Sequence, residues 1–262
     1  FWQVLMGTGI ARSSEDFGSQ GEPPSHQELL DHLALEFQAG GWDVKALLKQ
    51  IVTSETFCRD AKVDPANHEL DPANRYFARG PRFRLDAEVL RDQSLALSGL
   101  LNLAFSGPSV KPPQPKGLWY AVGYTRSDTA NFVADQDPEK QFRRSVYIFW
   151  KRTSAPPTMS TFDAPSRENC TARRERTNTP LQALLLMNEQ QYLQSAKHLA
   201  HRALTTNDVK AGDDAQRITW LFETVTTHPP SDHQLSAALK LLEQMRSHYG
   251  EQAELTTGAA TD

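Results

Sequence analysis

The stretch Ser25–Val52, SHQELLDHLALEFQAGGWDVKALLKQIV, decides the fold class. Leu29, Leu30, Leu33, Ala34 and Phe37 recur at the three-and-four spacing that gathers them on one helical face. Ser25 and Glu28 hold the positions of a capping box, and Gly40-Gly41 provides the stop. Asp43 can then cap a second helix, whose stripe is Val44, Leu47, Leu48, Ile51 and Val52. The two helices are predicted to form an antiparallel pair.

Outward from this pair the helical period continues. A third helix is predicted over 85–101, with Leu85, Val89, Ala96, Leu97, Leu100 and Leu101 on its apolar side. The longest helical run is 180–204, within which Asn188 or Gln191 can start a second helix. Asp213 and Asp214 open a further helix through Ile218, Leu221, Phe222 and Val225. Pro229-Pro230 turns the chain, and Ser231 with Gln234 caps a last helix that reaches Tyr249. Between 106 and 165 the period disappears. Pro108, Pro112, Pro113 and Pro115 impose an extended path, and the alternation of Val146, Ile148 and Trp150 predicts a short strand. The expected fold is mainly α: a helical domain with a long Pro-rich irregular segment and a minor β element. Its expected organisation is a main domain over 1–204, a helical hairpin at 205–250 packed on it, and a flexible tail from 251 to 262. Phe1, Trp2 and Leu5 read as the middle of a helix, so the chain is expected to be a fragment truncated at its N-terminal side.

A charged run precedes the longest helix: STFDAPSRENCTARRERTNTPLQAL, residues 160–184. Thr179, Pro180 and Gln182 mark a helix start, with an N-cap, a proline in the first turn and a capping-box partner. Before it stand Asp163, Arg167, Glu168, Cys170, Arg173, Arg174, Arg176 and Asn178. Four arginines face three carboxylates (Asp163, Glu168 and Glu175) between 163 and 176. Guanidinium forks there can hold a carboxylate, sulfate or phosphate, or can be neutralised locally so that they fix a loop. Trp119, Tyr120 and Tyr124, beside the stiff proline segment, can stack on sugar rings or plug the loop onto the core.

Other chemistry is sparser. The 262 residues carry a net charge of −4, which speaks against a dedicated nucleic-acid binder. No apolar run is long enough to span a membrane. Cys58 and Cys170 make no disulfide framework, and neither stands in a C-x-x-C-H, so no c-type haem attachment is encoded in this segment. Cys170 has cationic neighbours that favour a thiolate, but no histidine lies near it in sequence; His26, His32 and His68 are the candidates to reach it in space. His198 and His201 share a helical face without a third ligand at zinc spacing, and no metal site is expected. Glu88 and Asp92, beside Arg84 and Arg91, read first as helix ion pairs; Asp86, Arg91 and Asp92 are worth inspecting as a group.

Several of these segments together resemble a known family. FWQVLMGTGI, the stretch from EDFGSQGEPPSHQELLDHLALEF to GWDVKALLKQIVTSETF, DPANRYFARGPRFRLDAEVLRDQSLALSGLL, GPSVKPPQPKGLWYAVGY and RRSVYIFWKRTSAPPTMSTFDAPSRENCTARRERTNTPLQALLLMN follow in the family's order. Over roughly residues 1 to 204 the chain resembles the domain of unknown function fifteen fifty-three, the C-terminal domain of planctomycete surface proteins associated with cytochrome c. Members often carry a proline near 189, where this chain has Glu189-Gln190-Gln191, which implies a straighter helix here. The resemblance implies an extracytoplasmic place, periplasmic or at the cell surface, in a longer polypeptide whose other domains hold any haem. It also implies that the N-terminal part of that polypeptide is a partner of this chain. The leading reading is a structural or assembly domain. The alternatives are a module that binds or processes an anionic polysaccharide, sulfated or uronate, such as a cell-surface glycan, and a hydrolase using Asp/Glu or Cys–His catalysis.

Overall fold

The computed structural model describes residues 1–122, 131–210 and 212–251. Twelve α-helices occur among the described residues, and the chain is mainly α. It divides into two compact units: Phe1–Leu85 with Pro165–Asn178, and Asp86–Ala164 with Thr179–Asp262.

The first unit holds α1 (Trp2–Met6), α2 (Gln27–Ala39), α3 (Val44–Val52) and α4 (Pro65–Leu70). Helices α2 and α3 pack on one another across the turn Gly40–Asp43. Asp43 caps α3, its carboxylate accepting from the N–H groups of Lys45 at 2.9 Å and Ala46 at 3.1 Å. The capping box expected at the start of α2 does not form. Ser25 instead donates to the Ile10 carbonyl and meets His26 Nδ1 at 2.9 Å, and His26 becomes the N-cap residue. The hydroxyl is thus used to pin the loop that runs from Ile10 back to Ser25. Met6, Ile10, Leu47, Ile51 and Phe77 are the buried apolar side chains of this unit.

The second unit holds α5 (Ala87–Ser98), α6 (Leu118–Val122), α7 (Pro138–Gln141), α8 (Pro157–Thr161), α9 (Pro180–Asn188), α10 (Gln190–Thr205), α11 (Asp214–Thr226) and α12 (Asp232–Glu251). Helices α5 and α10 form its main pair. Ala87, Ile148, Met159, Phe162 and Tyr192 make the core, with Leu90, Trp150, Ala164 and Leu185 packed against it. The run 180–204 is not one straight helix. Glu189 leaves the helical region (φ −72°, ψ 135°) and its carboxylate accepts from the N–H groups of Gln191 at 2.9 Å and Tyr192 at 3.1 Å. A side chain that can cap a new helix interrupts the run without any proline. Both predicted capping boxes of this unit form: Thr179 with Gln182, and Ser231 with Gln234.

The strand expected over 145–151 is replaced by a 3₁₀ turn (Ser145–Tyr147) and isolated bridges, Asn102 to Arg143, Val110 to Ile148 and Lys151 to Ser154. The reason lies opposite it. Proline has no N–H, and Pro108, Pro112, Pro113 and Pro115 leave the facing segment unable to continue a ladder. Its carbonyls still need donors, and an arginine supplies them. Arg143, 7% exposed, donates to the carbonyls of Ala104 (3.1 Å), Ser106 (2.5 Å) and Pro108 (3.1 Å). Its guanidinium also lies 3.9 Å from the Tyr147 ring.

Arg91 performs the same service from α5. It is 3% exposed and donates to the carbonyls of Gln141 (2.7 Å) and Arg143 (2.9 Å), to Gln191 Oε1 (2.5 Å) and to Ser145 Oγ (3.1 Å). Burial lowers its pKa to about 10, against the opposing pull of Asp92, so it remains a cation at neutral pH. Asp92 accepts from the Ser145 N–H at 2.7 Å and meets Arg144 at 3.4 Å. The group around Arg91 and Asp92 is therefore a strut.

Candidate functional site

The charged run 160–184 is shared between the two units. Asp163 belongs to the second, half-buried with φ +60°. Arg167, Glu168, Cys170, Arg173, Arg174, Arg176 and Asn178 belong to the first. Arg167 is exposed and takes the left-handed conformation at φ +65°; Glu168 and Asn178 are exposed, and Arg174 is half-buried. The far end of this loop is anchored within its own unit. Arg84 Nε donates to the Thr177 carbonyl at 3.1 Å, and the Arg176 guanidinium stacks 4.4 Å from the Phe83 ring. Phe83 in turn lies against Gly7, where a Cβ would stand 2.7 Å from the ring and where φ is +77°. Glycine is the residue that permits both the conformation and the approach.

Anchored so, the loop presents Arg173 to a cleft of about 420 Å³. Its walls come from the turn after α1 and the segment that follows: Gln3, Thr8, Arg12, Ser13, Glu15 and Glu22. Arg173 is 61% exposed and meets Glu15 through Nε at 3.2 Å. The other edge of a guanidinium paired through Nε is still a two-donor fork. Arg12, half-buried, adds a second cation whose field also reaches Asp71. Burial pushes the Asp71 carboxyl up, but the N–H groups of Tyr76 and Arg75 with Arg79 and Arg12 outweigh it and hold it below the usual range. The cleft is thus polar, doubly cationic and doubly anionic, with amide and hydroxyl groups between the charges.

Trp119 is not among the residues that line this cleft. Trp119 is 1% exposed in the second unit, packed edge-on to Phe132 at 5.1 Å and tilted against Phe149 at 5.6 Å. Lys111 and Lys151 lie over its ring at 5.8 Å and 4.8 Å, so in this arrangement its faces are covered. Tyr124 lies outside the described residues. Cys170 and Cys58 are exposed thiols without a disulfide. His26 sits against Tyr76 and Phe77, and His32 meets Glu36 at 3.4 Å. No group of three or more metal-ligating side chains that could hold an ion occurs among the described residues.

Arg12, Glu15 and Glu22 escaped sequence reasoning. They lie more than 150 positions before Arg173, and nothing in GTGIARSSEDFGSQGE marks them apart from ordinary loop polarity. The one signal is the Gly7-Thr8-Gly9 turn, which brings backbone close to another wall.

The family model described as PSD1, protein of unknown function (DUF1553), matches residues 1–242. This chain belongs to the DUF1553 family. The match passes residue 204 and takes in α11 and part of α12. No curated protein and no solved structure matches this DUF1553 chain. No helix among its described residues is long and apolar enough to cross a membrane.

Proposed function

We propose that this DUF1553 chain is a binding module for an anionic glycan, with the Arg12–Arg173 cleft as its site. One observation carries the reading: two arginines distant in sequence line one open polar cleft while retaining exposed or half-exposed guanidinium groups. Such forks recognise carboxylate or sulfate. Gln3, Thr8 and Ser13 offer partners for ring hydroxyls, and Glu15 and Glu22 accept from them. The extracytoplasmic setting, in a polypeptide whose other domains hold any haem, is proposed on the family resemblance alone.

The test is a thermal-shift screen of the purified chain against uronate, sulfated and neutral oligosaccharides. Stabilisation by an acidic sugar, absent in Arg173→Ala, is the expected result. A flat response across the panel refutes the reading, and release of new reducing ends during incubation moves it to a hydrolase.

A second reading, assembly within the longer polypeptide, is favoured by α9. Gln182 is buried and Leu185 packs toward the core, while Leu181, Leu184 and Met187 on the adjoining face are 59%, 57% and 71% exposed. An apolar stripe of this kind is a surface made for covering. With Cys58 and Cys170 replaced by serine, Leu184→Cys is expected to react with maleimide in this chain and to be shielded in the full-length polypeptide. Equal reactivity in both excludes α9 as the contact.

A further inference from the structure

Gly7 and Thr8, in the turn after α1, line both the cleft that holds Arg12 and Arg173 and a second cleft of about 350 Å³. Both volumes fall at the low end of ligand-sized cavities, about 300–1,000 Å³. At Gly7, which has no side chain, the Phe83 ring closes directly against the turn the two clefts share.

The second cleft is walled differently. Exposed Pro72 and half-buried Pro81 and Phe83 give it apolar surface, while Phe77 lies beneath, buried against Trp2 and His26. Of its two arginines, Arg79 is already engaged with the carbonyls of Asp71 (3.1 Å) and Pro72 (2.7 Å). Asn74 holds the Arg79 backbone from both sides, donating to its carbonyl at 2.9 Å and accepting from its N–H at 3.3 Å. Arg82 is the other. It is exposed, and it makes no hydrogen bond or ion pair among the described residues.

We propose that the two clefts are adjoining subsites for consecutive units of one acidic oligosaccharide. One carboxylate lies at Arg12 and Arg173, and the next unit is held at Arg82 beside Pro72 and Pro81. The proposal rests on the reading of the first cleft as an anion site. It also narrows the ligand. Glu15 and Glu22 repel a densely sulfated chain but accept hydrogen bonds from the free hydroxyls of a sugar carrying one charge per unit. Filling the second subsite with the same molecule makes that contact intramolecular, so affinity rises with length.

The experiment is calorimetric titration of the whole chain with galacturonate and with its linear trimer, in wild type, Arg82→Ala and Arg173→Ala. The trimer is expected to bind wild type at least about tenfold more tightly than the monomer. Arg82→Ala removes most of that advantage, whereas Arg173→Ala weakens both ligands. Equal affinity for monomer and trimer, or an Arg82→Ala variant indistinguishable from wild type, overturns the two-subsite arrangement while the first cleft stands. Absence of binding to either ligand, or Arg173→Ala binding like wild type, overturns the first cleft and the extension with it.

Discussion

Arg91 in the second unit is 3% exposed and spends its donors on two main-chain carbonyls, a glutamine and a serine. Arg173 in the first unit is 61% exposed and meets one carboxylate through a single nitrogen. The same side chain is used in opposite ways. In the second unit arginines replace a missing sheet: a proline-broken segment cannot pair with a neighbouring strand, so Arg143 and Arg91 satisfy its carbonyls and those of the turn beside it. The donors there are consumed by the fold. In the first unit Arg12 and Arg173 stand at the edge of a cleft, and Arg173 has donors left over. Charge density in the sequence therefore says little about function, and the number of donors already satisfied says much.

The comparison breaks most easily at Arg91. Arg91→Ala leaves buried acceptors without their donor, and is expected to cost about 3–5 kcal/mol in chemical denaturation. A loss under about 1 kcal/mol would show that the strut is dispensable. Arg143→Lys is a gentler version. One ammonium cannot span the three carbonyls at 104, 106 and 108, so a loss of about 1–3 kcal/mol is expected by the same measurement.

The smallest effect is one of pH, and the two units should show it with opposite sign. Burial raises the Glu189 carboxyl above its ordinary value, against the N–H groups of Tyr192 and Gln191 and the charge of Arg91. The folded state then holds that proton more tightly than the unfolded chain. Its contribution is complete below the unfolded carboxylate range and is lost as pH rises through the folded value. Asp71, held low, contributes above the unfolded value and loses its contribution as pH falls through the folded one. Melts of Glu189→Gln across the acidic range should lack the decline on raising pH, and those of Asp71→Asn the decline on lowering it. Profiles parallel to wild type would show that neither carboxyl is shifted.

Much of the helical frame could be read from the chain, because periodicity and caps are local. Asp43, Thr179 with Gln182, and Ser231 with Gln234 act as their spacing says. Ser25 does not, since a hydroxyl that can cap a helix can equally bond the Ile10 carbonyl fifteen residues away. The alternation at Val146, Ile148 and Trp150 was misleading for a similar reason: a strand needs a partner with N–H groups, and that partner is proline-rich. The site was legible only in part. Arg173 stands out in its own loop, but Arg12, Glu15 and Glu22 join it through folding, and Trp119 is drawn into the core by aromatic neighbours that sequence spacing does not reveal.

Arg91 is a strut of the fold, and Arg173 is proposed to bind an acidic oligosaccharide. The most direct test is to measure melting temperature and acidic-oligosaccharide affinity together for Arg91→Ala and Arg173→Ala. The account predicts that Arg91→Ala melts far below wild type. It predicts that Arg173→Ala keeps its melting temperature, since an exposed pair is worth about 0–1 kcal/mol, and loses at least about tenfold in affinity. An Arg173→Ala variant that melts as low as Arg91→Ala, or that binds as wild type does, would contradict it.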